Sequence, residues 1–89
     1  MIKKRRKLNK DFERKIYSSK KSVELVLAKI YDIDDEDIQK EYMSAFNEVV
    51  YSYDELKEDY EQLGFSNNSE ELLTNYKNAF NLFESEFEI

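Results

Sequence analysis

The sequence predicts an all-α protein: an elongated antiparallel three-helix bundle with a long central helix and short loops. Three observations lead to this prediction. The chain of 89 residues contains one Gly and no Pro, whereas β-sandwiches and barrels need many turn residues. Apolar residues recur at steps of three and four, the spacing of one helix face. The length suits a single domain, residues 1–89.

The first helix is predicted over about residues 8–31, where one apolar stripe is continuous. Its stripe consists of Leu8, Phe12, Ile16, Ser19, Val23, Val26, Leu27 and Ile30. Ser18 and Ser19 are its weak centre, because Ser side chains compete for backbone hydrogen bonds, and a kink is allowed there. Residues 1–7, ahead of this helix, form a basic N-terminal segment.

The second helix is predicted over about residues 35–63 and has a clear start signal. Asp34 is the expected N-cap, and Ile33 before it is expected to pack on Ile38 as a hydrophobic staple. Acidic residues in the first turn complement the positive end of the helix dipole. The apolar stripe consists of Ile38, Tyr42, Ala45, Phe46, Val49, Tyr53, Leu56, Tyr60 and Leu63.

The end of the second helix is marked by Gly64, which is expected at a positive φ, with Phe65 packing back on Tyr60. At about 43 Å, this helix is too long for a compact chain of this size, whose radius of gyration would be about 12 Å. Either the second helix protrudes, or the molecule is an elongated bundle, or two chains pack together. The shorter third helix cannot cover all of the second helix alone. A homodimer is one of the partners expected from the sequence.

The third helix is predicted over about residues 69–86, after a short loop. Asn68 and Glu71 resemble a capping box. The apolar stripe consists of Leu72, Leu73, Tyr76, Ala79, Phe80, Phe83 and Phe87. Because both connections are short, consecutive helices must run in opposite directions.

The net charge of -6 conceals two poles of opposite sign. Residues 1–29 contain 11 Lys and Arg against 3 acidic residues, a net of +8, and residues 30–89 have a net of -14. The basic helix could neutralise the acidic helices, or both could be solvated faces, or one pole could bind a partner of opposite charge.

The composition argues against catalysis and against a cofactor. With no Cys and no His, the chain lacks the thiol nucleophile, the commonest general base and the commonest metal ligand. One Gly cannot build a phosphate-binding loop. The acidic run 32–37 fails as a calcium loop, because Asp37 and Met43 stand where Gly and Glu are required. We therefore predict a non-enzyme with no catalytic, cofactor-binding or metal-binding residues.

The sequence also predicts a cytoplasmic protein that does not enter a membrane. No apolar run approaches the length of a membrane-spanning helix. The basic start of the chain is not followed by the apolar region of a signal peptide. The abundance of Lys, Asn, Ile and Tyr is typical of AT-rich bacterial and phage genomes.

Two charged surfaces are the candidate binding sites. The acidic ridge, predicted on the second helix, consists of Glu41, Glu48, Tyr51, Glu55 and Asp59. The basic ridge, predicted on one side of the first helix, consists of Lys3, Lys7, Lys10, Arg14 and Lys21. Each could also be an ordinary solvated face, or the two could pair with each other.

The leading interpretation is a small helical protein-binding module, an inhibitor or regulator of a host protein with a basic surface. Its acidic ridge would compete with nucleic acid for that surface. In size, acidity and helicity the chain resembles small phage and mobile-element proteins that block host proteins, such as anti-CRISPR proteins, antitoxins and nuclease inhibitors. This is a likeness of kind without a shared motif. The alternative is a nucleic-acid-binding regulator that uses the basic ridge, and the third interpretation is a structural oligomer or phage assembly component.

Overall fold

A computed structural model describes residues 7–88 as three α-helices joined by short loops. The helices are α1 (Lys10–Tyr31), α2 (Glu36–Leu63) and α3 (Asn67–Glu86). The molecule measures 56 × 22 × 18 Å, and its radius of gyration of 15.2 Å exceeds the value of about 12 Å for a compact chain of this length. The predicted elongated three-helix bundle is confirmed.

The central helix α2 runs antiparallel to both neighbours. Phe12, near the start of α1, lies 5.6 Å from Tyr60, near the end of α2, measured between ring centroids. At the opposite end, the rings of Tyr42 in α2 and Phe87 after α3 are 4.8 Å apart. The helices α1 and α3 therefore point the same way, antiparallel to α2, as the short connections predicted.

The core follows the buried side of α2 along the length of the rod. Phe46, Val49 and Leu56 of α2 are almost completely shielded from solvent, as is Ile30 of α1. The remaining buried apolar side chains are Phe12, Val23, Val26, Tyr53, Tyr60, Leu73, Tyr76 and Phe83. All of these buried residues belong to the predicted stripes. Leu8, Ile38 and Leu63 were predicted to join them but are exposed, because they lie at or beyond the ends of the packed region.

The start of α1 differs from the prediction by two residues. Asn9 is the N-cap, and its side-chain oxygen accepts a hydrogen bond from the Phe12 N–H at 3.0 Å. The Asn9 N–H is in turn 3.1 Å from the Tyr60 hydroxyl, which accepts from it. A helix beginning at residue 8 would lose both interactions, so the predicted start was wrong.

The helix α2 begins one residue later than predicted. The N-cap is Asp35 and not Asp34, and its carboxylate accepts from the N–H groups of Asp37 and Ile38 at 2.9 and 3.1 Å. This register removes the spacing that a staple between Ile33 and Ile38 requires.

The start of α3 was also misplaced. The capping box is formed by Ser66 and Ser69 rather than by Asn68 and Glu71, so that the helix begins at Asn67. The buried Ser69 hydroxyl lies 3.0 Å from the Gly64 carbonyl oxygen and donates to it. This contact with the preceding turn selects Ser66 as the cap.

No kink occurs at the two serines in the middle of α1, which is one continuous helix. The Ser19 hydroxyl donates to the Lys15 carbonyl oxygen at 2.8 Å, within the helix. Ser19 is buried, and the Tyr76 hydroxyl donates to its carbonyl oxygen at 3.3 Å. The small side chain thus gives α3 room to approach α1.

The turn after α2 is fixed by Gly64, which has φ 77° and ψ -163°. The positive φ was predicted, but the ψ angle is outside the left-handed helical region. This combination is essentially restricted to glycine. The next N–H, of Phe65, donates to the Lys7 carbonyl oxygen at 2.6 Å, and the Phe65 ring packs edge-on against Phe12 at 5.1 Å, whereas the prediction paired it with Tyr60.

Candidate protein-binding surface

The acidic ridge lies along the outward side of α2. Glu41, Glu48 and Glu55 are all exposed, and each is two helical turns from the next. At 1.5 Å per residue, the line extends over about 21 Å. It lies beside the α2–α3 contact rather than within it, because the buried residues of α2 occupy a different face of the helix.

Tyr51 adds a large side chain to this line, and 65% of its surface is exposed. The pKa of its hydroxyl is raised above the ordinary value, first by hydrogen bonding to the Glu55 carboxylate one turn away and then by the charge of that carboxylate. Because its single proton is donated to Glu55, the hydroxyl oxygen can accept a hydrogen bond from a cationic group of a partner.

Asp59 differs from the other members of the ridge because it is half-buried. Its Oδ1 atom accepts from the Asn68 side-chain amide at 3.0 Å, which joins α2 to the first turn of α3. Its Oδ2 atom is buried and has no hydrogen-bond partner among residues 7–88. The accessible part of the ridge is thus Glu41, Glu48, Tyr51 and Glu55.

A groove between α2 and α3 opens next to the ridge. It has a volume of about 220 Å³ and is lined by Ser44, Ala45, Glu48, Ala79, Leu82, Phe83, Glu86 and Phe87. Its walls are mostly apolar. They include Leu82, which belongs to no predicted stripe and is 57% exposed. We call this feature the α2–α3 groove. The sequence did not predict this groove. The one signal for it was Leu82, an apolar residue outside the stripe of the third helix and one turn before Glu86.

The basic ridge is shorter than predicted. Lys10, Arg14 and Lys21 lie on the exposed side of α1. Lys7 does not belong to this helix: it precedes the cap, and its ammonium group lies 5.9 Å from the centre of the Phe65 ring. The prediction that Lys7 continues the helical line was therefore wrong, and Lys3 lies outside the described residues.

The two charged ridges are not joined by ion pairs in the part of the chain that the structure describes. The ion pair recorded for residues 7–88 joins Arg14 to Asp11 at 3.8 Å, within α1, and both side chains are exposed. Such a pair contributes little to stability. Lys21 instead lies over the ring of Tyr17, 5.3 Å from its centre. The carboxylates of the acidic ridge thus have no Lys or Arg partner within this range.

A second, larger groove of about 360 Å³ separates α1 from α2. Its lining combines apolar and aromatic residues with charges of both signs; it consists of Leu8, Glu13, Ile16, Tyr17, Lys20, Tyr53, Lys57, Tyr60 and Glu61. Because the charges are mixed, this groove favours neither an anionic nor a cationic ligand.

Two further findings concern residues 7–88. No group of three or more acidic side chains in this range is arranged to hold a metal ion. None of the helices described is both long and apolar enough to cross a membrane.

No protein-family model, no curated protein and no solved structure matches this chain. The interpretation of its surfaces therefore depends on their geometry and charge.

Proposed function

We propose that this protein is a non-enzymatic protein-binding module that inhibits or regulates a host protein with a basic surface. The observation that supports the proposal is the exposed line of Glu41, Glu48 and Glu55 with Tyr51 beside it. These carboxylates have no cationic partner among residues 7–88. A partner that contributes the missing positive charge would meet a complementary potential along about 21 Å of helix.

The mechanism is competition for a surface that otherwise binds nucleic acid. Such surfaces attract phosphates through Lys and Arg, and a rigid row of carboxylates occupies the same cations. The charges accelerate the encounter and select the partner, while Tyr51 contributes contact area at low entropic cost. We place this activity in the cytoplasm of a bacterial host, with a phage or mobile-element origin of the anti-CRISPR-like kind.

The experiment that tests the proposal is capture of host proteins by two charge-reversed variants. One variant combines Glu41→Lys, Glu48→Lys and Glu55→Lys. The matched variant combines Lys10→Glu, Arg14→Glu and Lys21→Glu on α1. Since all six positions are exposed, both variants should retain the helical circular dichroism spectrum of the natural protein.

We expect the α2 variant to lose a captured protein that the α1 variant retains. Nucleic acid added to the capture reaction should displace that protein, because both ligands use its basic surface. Capture that survives the α2 reversal, or that nucleic acid does not affect, would contradict the proposal.

The second candidate is a nucleic-acid-binding regulator that uses the outward side of α1. Lys10, Arg14 and Lys21 line this side, and the exposed ring of Tyr17 lies below the Lys21 ammonium group. This candidate predicts binding to DNA or RNA that weakens steeply with salt, by roughly one unit of logarithmic slope per phosphate contact. The leading proposal predicts no such binding.

The third candidate is a structural oligomer, such as a homodimer or phage assembly component. The sequence suggested this candidate because the third helix is too short to cover all of α2 alone. In the structure, α1 covers Tyr60 near one end of α2, and the segment ending α3 covers Tyr42 near the other. The homodimer stays a prediction, and light scattering that finds only monomer at high concentration would contradict it.

A further inference from the structure

The α2–α3 groove combines an apolar floor with carboxylates on both helices. Ala45 and Ala79 are small and half-buried, which leaves the space of about 220 Å³ open. This volume is below the range of about 300–1,000 Å³ that is usual for small-molecule pockets. It suits a single long side chain that enters from a partner's surface.

The charge of the groove determines which side chain would fit. The lining residues described by the structure include two carboxylates, from Glu48 and Glu86, and no Lys or Arg. Both carboxylates are exposed, and neither belongs to the ion pair recorded within residues 7–88. An occupant must therefore be cationic at its tip and apolar along its stem, which describes Lys and Arg.

The two carboxylates, one on each helix, favour Arg over Lys. The rings of Phe83 and Phe87 stack on each other, with centroids 5.2 Å apart, and form part of the apolar lining of the groove. A guanidinium group is planar, stacks on aromatic faces and has several donors in a fixed fork, whereas an ammonium group is a compact and strongly hydrated point charge. A guanidinium can donate to two carboxylates at once through this fork, whereas an ammonium group matches such a pair less well.

We propose that the α2–α3 groove binds an arginine side chain of the basic partner protein. The guanidinium group lies between Glu48 and Glu86, and the methylene stem packs on Leu82. The source of this arginine is taken to be a protein, and this part of the inference depends on the proposed function. The preference of the groove for arginine can be measured without the partner.

The test is an NMR titration with the capped peptide acetyl-Gly-Arg-Gly-amide. The methyl groups of Ala45, Ala79 and Leu82 report on the groove. Two matched peptides replace Arg with Lys or with citrulline, which has the same shape as arginine but no charge. We expect methyl shifts that saturate with the Arg peptide, and affinity weaker by about tenfold or more for citrulline, because hydrogen bonds to charged groups are strong. The Lys peptide should bind more weakly than the Arg peptide.

A pair of double variants tests the role of the two carboxylates. Glu48→Gln with Glu86→Gln removes both charges from the groove. Glu58→Gln with Glu84→Gln removes the same charge from one exposed position on each helix, outside both the acidic ridge and the groove lining. We expect the first pair to weaken binding of the Arg peptide by about tenfold and the second to leave it nearly unchanged. Circular dichroism checks that both variants are folded.

Three results would overturn the inference: equal binding of the Lys and Arg peptides, binding that survives loss of both groove carboxylates, or shifts spread evenly over the acidic surface. The two proposals can fail separately. Arg binding in the groove, together with capture that is insensitive to charge reversal on α2, would reject the proposed function alone. Capture that depends on α2, together with no response of the groove methyls to the Arg peptide, would reject the arginine site alone.

Discussion

The two interfaces of α2 are built from different side chains. Towards α3, rings interlock: Phe46 meets Phe80 and Phe83 at centroid distances of 6.0 and 4.8 Å, and Tyr42 meets Phe87 at 4.8 Å. Towards α1, the buried residues are mostly aliphatic, and Phe12 near its start is the buried ring that α1 contributes.

The difference indicates that α2 and α3 form the stronger pair and that α1 is held by fewer, more specific contacts. Aromatic residues bury large areas and gain further from edge-to-face geometry. The position of α1 depends on polar contacts at its start, where Asn9 binds the Tyr60 hydroxyl, and at Ser19, which accepts from Tyr76. The acidic ridge and the α2–α3 groove thus lie on the more rigid pair, as precise recognition requires.

The largest effect is expected from Phe46→Ala, which removes a fully buried ring from the α2–α3 interface. Loss of such a ring typically lowers the free energy of unfolding by about 3–5 kcal/mol. The matched change on the other side is Val23→Ala in α1, for which we expect a loss of about 2 kcal/mol from two buried carbons. Urea denaturation measures both. Equal losses would show that the α1 interface contributes as much as the aromatic one.

The next effect is expected at Gly64, where all three helices meet. Gly64→Ala places a Cβ atom on a backbone with φ 77° and ψ -163°, and we expect a loss of about 1–3 kcal/mol. Thermal unfolding provides the measurement, with Leu63→Ala at the exposed neighbouring position as the control. If both variants melt alike, the turn does not depend on glycine, and α1 is held in place by other contacts.

A smaller effect is expected from Asn9→Ala, which removes the N-cap of α1. The Phe12 N–H loses its acceptor, and caps of this kind contribute about 1 kcal/mol. Asn9→Asp should retain most of the stability, since aspartate caps equally well. Hydrogen exchange should show faster opening of the first turn of α1 in the Ala variant and little change in α3. Faster exchange throughout α3 would mean that the two interfaces unfold together and would remove the distinction between them.

The smallest effect is expected for Tyr76, whose hydroxyl connects α3 to α1. It appears only at alkaline pH. Burial raises the pKa of Tyr53 and of Tyr76 above the ordinary value of 10.0. The folded protein therefore holds these protons more tightly than the unfolded chain. Their contribution is complete below pH 10 and is lost as the pH rises through the elevated values.

We therefore expect the free energy of unfolding to decline above pH 10, and to decline less steeply in Tyr76→Phe, which has one of these two groups fewer. Urea denaturation at pH 9 and at pH 11 measures the difference. Parallel declines in the two proteins would show that Tyr76 keeps an ordinary pKa.

The helices and their directions could be predicted from the sequence because apolar periodicity is a local signal. Their starts could not, because neighbouring residues compete for each cap. Asp34 and Asp35 are equally good caps by composition, and Ser66 prevails over Asn68 through a hydrogen bond between Ser69 and the preceding turn. These choices depend on the path of the chain before the helix.

The candidate surfaces were predictable where they lie on one helix. Glu41, Glu48 and Glu55 share a face by spacing alone, and the structure leaves them exposed. Lys7 was misplaced because its backbone pairs with Phe65, far along the chain, rather than continuing α1. The groove combines residues of two helices, so their relative register had to be known before it could be found.

The odd number of helices within residues 7–88 has a practical consequence for attaching this protein to a surface. Lys7 is held beside Gly64, at one end of α2, whereas the carbonyl oxygen of Glu88 accepts from the Tyr42 hydroxyl near the other end. Along the α2 axis, Tyr42 and Gly64 are separated by about 33 Å. A linker or affinity tag joined ahead of residue 7 would emerge far from Phe87 and the α2–α3 groove, whereas a tag joined after residue 88 would emerge beside them. Immobilisation through the first of these positions therefore presents the acidic surface to a partner without obstruction.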